Sequence, residues 1–418
     1  MAKPVLLSHE LFPLVASFQS GIFQDATPFR AFVQHRSITS LHDSHIILET
    51  LRLCDRLLQP WYAYHGWDRI AKLCACVPQM QRIAVLHAVS YGSEELLQYL
   101  HTIWPLDTTF EDNLMDIAAF YGRKKTLEYL HKLGHEGCTT RAMDSAAQRN
   151  DLSIVEFLHT HRSEGCTEWA MNGAAYHGHL DMVKWLHTHR TEGCTQSAMD
   201  CAAQHNHLDV VAFLHEHRTE GCSTRAIDYA AANGHVEVVQ FLLKHRTEGA
   251  TRLAMDNAAK NNRFNVVRCL AEVRPEDNLA SAMAIAAAQG HTNIVHYLFG
   301  RLKVVASPIL EAAAENGHLD LVKFLFAHRK DLCTTRTLDK AAARGHVEVV
   351  RFLYENRHRG CTSDILHLRF RPPHHLEQTG GSDCHRSDAL KAAQANGHVE
   401  VVKYLAGLRA AKRRCRIM

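Results

Sequence analysis

The sequence has no apolar run long enough to cross a bilayer, which excludes a helical membrane-spanning protein. It also has no clean secretory leader: in MAKPVLLSHELFPLVASF the apolar stretch is interrupted by His9, Glu10 and Pro13. Charge of one sign is lacking too. Lys and Arg number 47 against 44 Asp and Glu, a net +3, so no nucleic-acid footprint is expected. No GxGxxG, P-loop, HExxH or GxSxG pattern occurs. A non-enzymatic protein with no cofactor and no small-molecule substrate is the expectation. Thirteen cysteines, an odd count without a leader, favour a reducing compartment, and a cytoplasmic location is expected.

What is present is repetition. EGCTTRAMDSAAQRNDLSIVEFLH begins at Glu136, EGCTEWAMNGAAYHGHLDMVKWLH at Glu164 and EGCTQSAMDCAAQHNHLDVVAFLH at Glu192, a period of 28 residues. The apolar residue opening each first helix recurs as Val85, Met115, Met143, Met171, Met199, Ile227, Met255, Met283, Leu310, Leu338 and Leu390, or about eleven units. Repeats grow in one dimension, so 418 residues need not divide into globular domains.

Each unit reads as two short helices. Thr139, Thr167, Thr195, Ser223, Thr251 and Thr334 stand where a hydroxyl can cap the first helix. Met199, Ala202 and Ala203 then give an apolar stripe, with small residues that permit close approach. The first helix should end at Gly122, Gly178, Gly234, Gly290, Gly317, Gly345 and Gly397. Asn150, Asn206 and Asn262 replace glycine at the same place, and asparagine also tolerates left-handed dihedrals. The second helix opens with an acid, such as Asp181, Asp209 or Glu237, and supplies core through residues such as Val210, Val211, Phe213 and Leu214. One unit cannot bury both stripes, whereas stacked neighbours can.

AAANGHVEVVQFLL (Ala230–Leu243) and AAAENGHLDLVKFLF (Ala312–Phe326) resemble the AAxxGHxxVVxxLL core of ankyrin repeats. Two departures accompany the likeness. AMD or a similar triplet replaces the TPLH opening, so that histidine's role does not carry over. About seven residues that would build the projecting β-hairpin are missing, and the first helix is about two residues longer. The resemblance implies an all-α, ankyrin-like solenoid of stacked helix–turn–helix repeats with blunt turns over residues 80–412; residues 1–79 lack the period and read as an irregular helical N-terminal cap.

The repeat explains most of the chemistry-bearing residues. Cys138, Cys166, Cys194, Cys222, Cys333 and Cys361 occur once per layer, and Ala250 takes the same place in one unit, as for small packed side chains. Layers about 8–10 Å apart keep such cysteines from forming disulfides. The pairs His159/His161, His187/His189 and His215/His217 lie two apart, about 200° around a helix, and so do not chelate as residues four apart would. No metal site is expected.

Function then falls to positions where the units differ. The two residues before the capping Gly or Asn vary, as Phe120/Tyr121, Gln148/Arg149 and Tyr176/His177. So does the second residue after the capping Thr or Ser, as Arg141, Trp169, Arg225 and Leu253. Ankyrin-like proteins bind proteins mainly through the concave face, lined by first helices and hairpins. The resemblance therefore implies that Phe120, Tyr121, Arg141, Arg149, Trp169, Tyr176, His177 and Arg225 contact a protein partner, aromatics and arginine being the usual hot spots. A scaffold or adaptor is the resulting expectation.

Three segments lie outside the period. LFPLVASFQSGIF (Leu11–Phe23) bears a likeness to the start of an F-box, the basis of an alternative as a ubiquitin-ligase substrate receptor. Residues 365–388 interrupt an otherwise intact unit; Pro372-Pro373 and Gly380-Gly381 suggest a loop. The tail 413–418 ends Cys415-Arg-Ile-Met behind Lys412, Arg413 and Arg414, matching a prenylation pattern with a basic second signal, although Arg416 is not aliphatic. Peripheral membrane tethering through Cys415 is the corresponding expectation.

Overall fold

The computed structural model describes residues 24–29, 44–106, 110, 112–274, 279–302, 308–356 and 381–415. The chain forms two compact units, 1–198 and 199–418. Among the described residues there are helices and turns but no strand, so the turns between repeats carry no β-hairpin and the fold is an all-α ankyrin-like solenoid.

In the first unit the helix Ser44–His65 packs against Gln79–Tyr91, with Phe29, Trp61, Tyr62 and Ile70 buried. Helix pairs follow: Gln79–Tyr91 with Glu94–Ile103, Leu114–Phe120 with Lys124–Lys132, Thr140–Gln148 with Leu152–His161, and Glu168–Tyr176 with Leu180–His189. First helices lie against first helices, Leu114–Phe120 on Thr140–Gln148 and that on Glu168–Tyr176. The alanine pairs Ala118/Ala119, Ala146/Ala147 and Ala174/Ala175 are buried at this junction, and Ile154, Val155 and Leu158 fill the space beneath the second helices. A fully buried aliphatic side chain contributes roughly 1.5–3 kcal/mol, so the layers depend on one another.

The second unit repeats the scheme, with Arg225–Asn233, Arg252–Lys260, Leu279–Gln289, Pro308–Glu315, Thr335–Ala343 and Gly381–Ala395 stacked in order as first helices. Their partners run from Val236–His245 to Val399–Cys415. With Gln196–Gln204 and Leu208–His217, eleven helix pairs stand among the described residues, as the repeat predicts.

The cap readings hold atom by atom. Thr139, Thr167 and Thr251 accept hydrogen bonds from the backbone N–H two residues on. Asn150, Asn206 and Asn262 adopt φ of 63°, 66° and 59°, and no other described non-glycine residue has positive φ. Behind Asn150 the Asp151 N–H reaches Ala146 O at 2.9 Å and the Asn150 N–H reaches Ala147 O at 3.1 Å, closing the helix in a Schellman motif.

The outlying segments fare differently. The F-box-like stretch 11–23, residues 365–380 of the interruption and residues 416–418 of the tail lie outside the described residues. The loop expectation is corrected at its end: residues 381–388 are helical and run without a break into the first helix Gly381–Ala395. Cys415 closes the backbone of the helix Val399–Cys415.

Candidate partner-binding face

The first helices are held in register by a buried acid that the sequence reading passed over. Asp144 accepts from the Thr167 backbone N–H and from its hydroxyl, both at 2.8 Å. Asp116 does the same with Thr139, Asp200 with Ser223 and Asp228 with Thr251, always 23 residues on. Asn172 keeps the link with its amide: its oxygen accepts from the Thr195 N–H and its nitrogen donates to the Thr195 hydroxyl, both at 3.0 Å. Burial raises the Asp116, Asp144 and Asp200 carboxyls above the usual range, and the hydrogen bonds from the next repeat oppose it. The acid of the AMD triplet is thus a clamp between repeats.

The loops carry a second link. Arg190 pairs with Glu192, whose carboxylate also accepts from the Cys166 N–H of the preceding loop at 3.2 Å. Arg246 and Glu248 repeat this with Cys222, at 3.3 Å. The Arg246 guanidinium holds the Glu248 carboxyl down at about 2. Burial pushes the Cys138 and Cys166 thiols up to about 12, which makes them poor nucleophiles and supports the packed-cysteine reading. The described cysteines are free thiols.

The histidine pairs are stacked rather than chelating. His161 lies on Phe157 with ring centroids 4.4 Å apart and bonds through Nδ1 to Phe157 O at 3.0 Å; His189 does likewise on Trp185 at 4.5 Å and 2.9 Å. His159 stands edge-on to Trp185 of the next repeat, so the rings form a ladder between layers. Among the described residues no group of three or more His, Cys, Asp or Glu could hold a metal ion.

Against this fixed background the variable positions stand out. Trp169 is 67% exposed, Tyr176 40% and Phe120 39%, large values for aromatics on a packed helix. Arg141, Arg149, His177 and Arg225 are exposed, and Tyr121 is half-buried. In the first unit Trp169 and Arg141 are each the second residue of their helices, while Phe120 and Tyr176 close theirs. Phe120 packs edge-on to Tyr121 at 5.1 Å, and Tyr176 to His177 at 4.8 Å. His177 meets Gln148 at 3.4 Å, so one row joins successive repeats. Arg149 differs: it is paired with Asp151 at 3.1 Å and lies over Gly122, where a Cβ would come within 2.9 Å of its guanidinium, so it closes a turn. In the second unit Arg225 opens its helix, and Tyr229, one turn further on, is 42% exposed. Tyr229 was missed; its signal is a tyrosine where other repeats carry Ser145, Gly173 or Cys201.

Comparison with protein families agrees with this architecture. A model for ankyrin repeats in three copies matches residues 142–228, 171–252 and 227–307, and one for ankyrin repeats in many copies matches 310–354. Together they span half of the chain, which belongs to the ankyrin-repeat proteins. No curated protein matches the chain. Ankyrin repeats are general protein–protein interaction modules. No described helix is long and apolar enough to cross a membrane.

Proposed function

We propose that this chain is a non-catalytic scaffold or adaptor that binds a protein partner along the exposed face of its first helices. The observation that carries the reading is the contrast within one helix. Between Glu168 and Tyr176 the buried side is occupied by Ala170, Met171, Ala174 and Ala175, while Trp169 and Tyr176 are left to solvent. Large aromatics exposed on a rigid helix lose little entropy on binding and dominate interface energetics. The aromatic positions vary widely between repeats, while from Asp116 to Thr251 the clamps change only between Asp and Asn or Thr and Ser, as for a generic frame carrying a particular surface.

The test is affinity capture with the wild type beside a Phe120→Ala, Trp169→Ala, Tyr176→Ala variant, both first shown to fold by circular dichroism. Selective loss of bound proteins from the variant is the expected result. Identical capture by both would place binding elsewhere. A receptor role for residues 11–23 and lipidation at Cys415 rest on sequence patterns that reach beyond the described residues, and they form no part of this reading.

A further inference from the structure

The second helices of the first unit carry imidazoles at two positions, an inner one at His131 and His159 and an outer one at His161 and His189. Each inner ring meets the outer ring of the following repeat. His131 lies 5.6 Å from His161 and His159 lies 6.0 Å from His189, between centroids. The two positions hold their protons differently. Nδ1 of His161 lies 3.0 Å from Phe157 O, and Nδ1 of His189 lies 2.9 Å from Trp185 O. A carbonyl only accepts, so these Nδ1 atoms carry the hydrogen and Nε2 keeps a lone pair. Both outer rings are exposed in the last turn of a helix, where the dipole favours a cation.

The inner rings are the reverse. His131 Nδ1 is buried with no hydrogen-bond partner among the described residues. His159 Nδ1 lies 3.4 Å from Arg190 Nη1, and a guanidinium only donates, so this nitrogen is a lone pair. Protonation would put an N–H cation into a buried position at 131 and against a guanidinium at 159. Each new cation would also face an outer imidazole that takes up its own proton readily.

The surrounding charges do not relieve this. Burial, then Arg162 and His161, hold His131 below the usual imidazole range; Glu164 opposes them but is already paired with Arg162. The helices against His131 bring Asp116, engaged by Thr139, and Glu94, Glu95 and His101. Its own helix brings Lys124, Lys125, Glu128 and Lys132. Around His159 stand Glu156 and His161 on its own helix, and Arg141 and Asp144 on Thr140–Gln148, with Asp144 engaged by Thr167. Leu180–His189 adds Asp181, Lys184, His187 and His189. Beyond Arg190 lies Glu192, whose carboxylate is taken up by Arg190 and the Cys166 N–H.

We infer that these cross-layer histidines form an acid-sensitive latch: neutral, they let the Arg162 and Arg190 links close the loops of successive repeats, and on mild acidification they drive those links apart. This goes beyond the protein-binding reading and does not depend on it. Because the folded chain favours neutral His131, its contribution is full above the ordinary imidazole value near about 6.5 and is lost as pH falls through the lower folded value.

The test is thermal unfolding of the full chain at pH 7.5 and pH 5.5, beside a His131→Leu, His159→Leu variant. Leucine packs at this register, since Leu243 holds the inner position in a later repeat. The wild-type midpoint should fall on acidification by at least about 3 °C more than the variant's, the effects of all other groups being common to both. If the leucine variant does not fold, His161→Gln, His189→Gln at the exposed positions takes its place and should lose part of the same fall. Equal falls in wild type and in the folded variant would overturn the inference. Histidine NMR titration of the wild type gives a second readout, in which His131 and His159 should protonate at lower pH than His161 and His189. The same pH for all four, or the reverse order, would overturn it as well.

Discussion

Asp144 and Thr167, 23 residues apart, join two repeats through a pair of 2.8 Å hydrogen bonds that take up both carboxylate oxygens. Asp144→Ala leaves the Thr167 N–H at a half-buried helix start without its acceptor, and should lower stability by about 1–3 kcal/mol. Asp144→Asn should be neutral or slightly stabilising, since Asn172 already makes the link with an amide and burial disfavours the Asp144 charge. Urea midpoints of the two variants against wild type check both expectations.

The ionisable links have opposite signs with pH. Burial raises the folded Asp200 carboxyl above its unfolded value, so its charge costs stability at neutral pH. That cost fades as pH falls through the folded value towards the unfolded one, near about 3.9. Arg246 holds Glu248 at about 2 against an ordinary 4.5, so its contribution is full above 4.5 and is lost as pH falls towards 2. Denaturation at pH 6 and pH 3 should therefore show Asp200→Asn favoured and Glu248→Gln penalised at pH 6, with both differences shrinking at pH 3.

Asn206 holds a left-handed φ of 66° where most repeats have glycine. Asn206→Gly should leave stability unchanged or slightly higher, whereas Asn206→Val should lower it by about 1–2 kcal/mol, because branching at Cβ crowds the left-handed backbone that asparagine tolerates. Thermal unfolding of the two variants distinguishes this backbone account from one based on side-chain contacts, in which both would destabilise.

Cys166 is buried, and its thiol is pushed up to about 12 by that burial. In the folded protein at pH 8 it should react with Ellman's reagent far more slowly than after urea unfolding. Cys166→Ala should cost no more than about 1 kcal/mol, since Ala250 holds the equivalent place in a later repeat. Fast native modification at Cys166, followed by peptide mapping, would contradict the packed-cysteine account.

The helix pairs, the hydroxyl caps and the Gly or Asn stops were legible because each depends on residues one to four apart, within reach of a single unit's pattern. The substitution of Asn150 for glycine is informative only through backbone conformation, and so it pointed directly to a left-handed stop. The links between units were not legible. Asp144 finds its partner 23 residues on, Glu192 reaches the Cys166 N–H 26 residues back, and His159 meets Trp185 of the following layer. In a repeating chain every such residue has several equivalent candidates, and the period alone does not say which neighbour it meets. Asp144 was therefore seen only as a departure from the TPLH opening. The co-occurrence of an acid or amide with a hydroxyl 23 residues on, from Asp116/Thr139 to Asp228/Thr251, was the available signal. For the candidate face, the sequence marked Trp169, Tyr176 and Arg149 alike as variable positions, and the structure adds that Trp169 and Tyr176 are exposed. The pairing of Arg149 with Asp151 over Gly122 emerges only once the preceding turn is in place.

The most direct test of the central claim is site-specific photo-crosslinking, with p-benzoylphenylalanine at Tyr176 on the first-helix face and, separately, at His189 on the second-helix ladder. The account predicts a discrete crosslinked protein from position 176, competed away by unlabelled wild type, and none from position 189. Crosslinking from position 189 with none from 176 would contradict it and move the binding surface to the second helices.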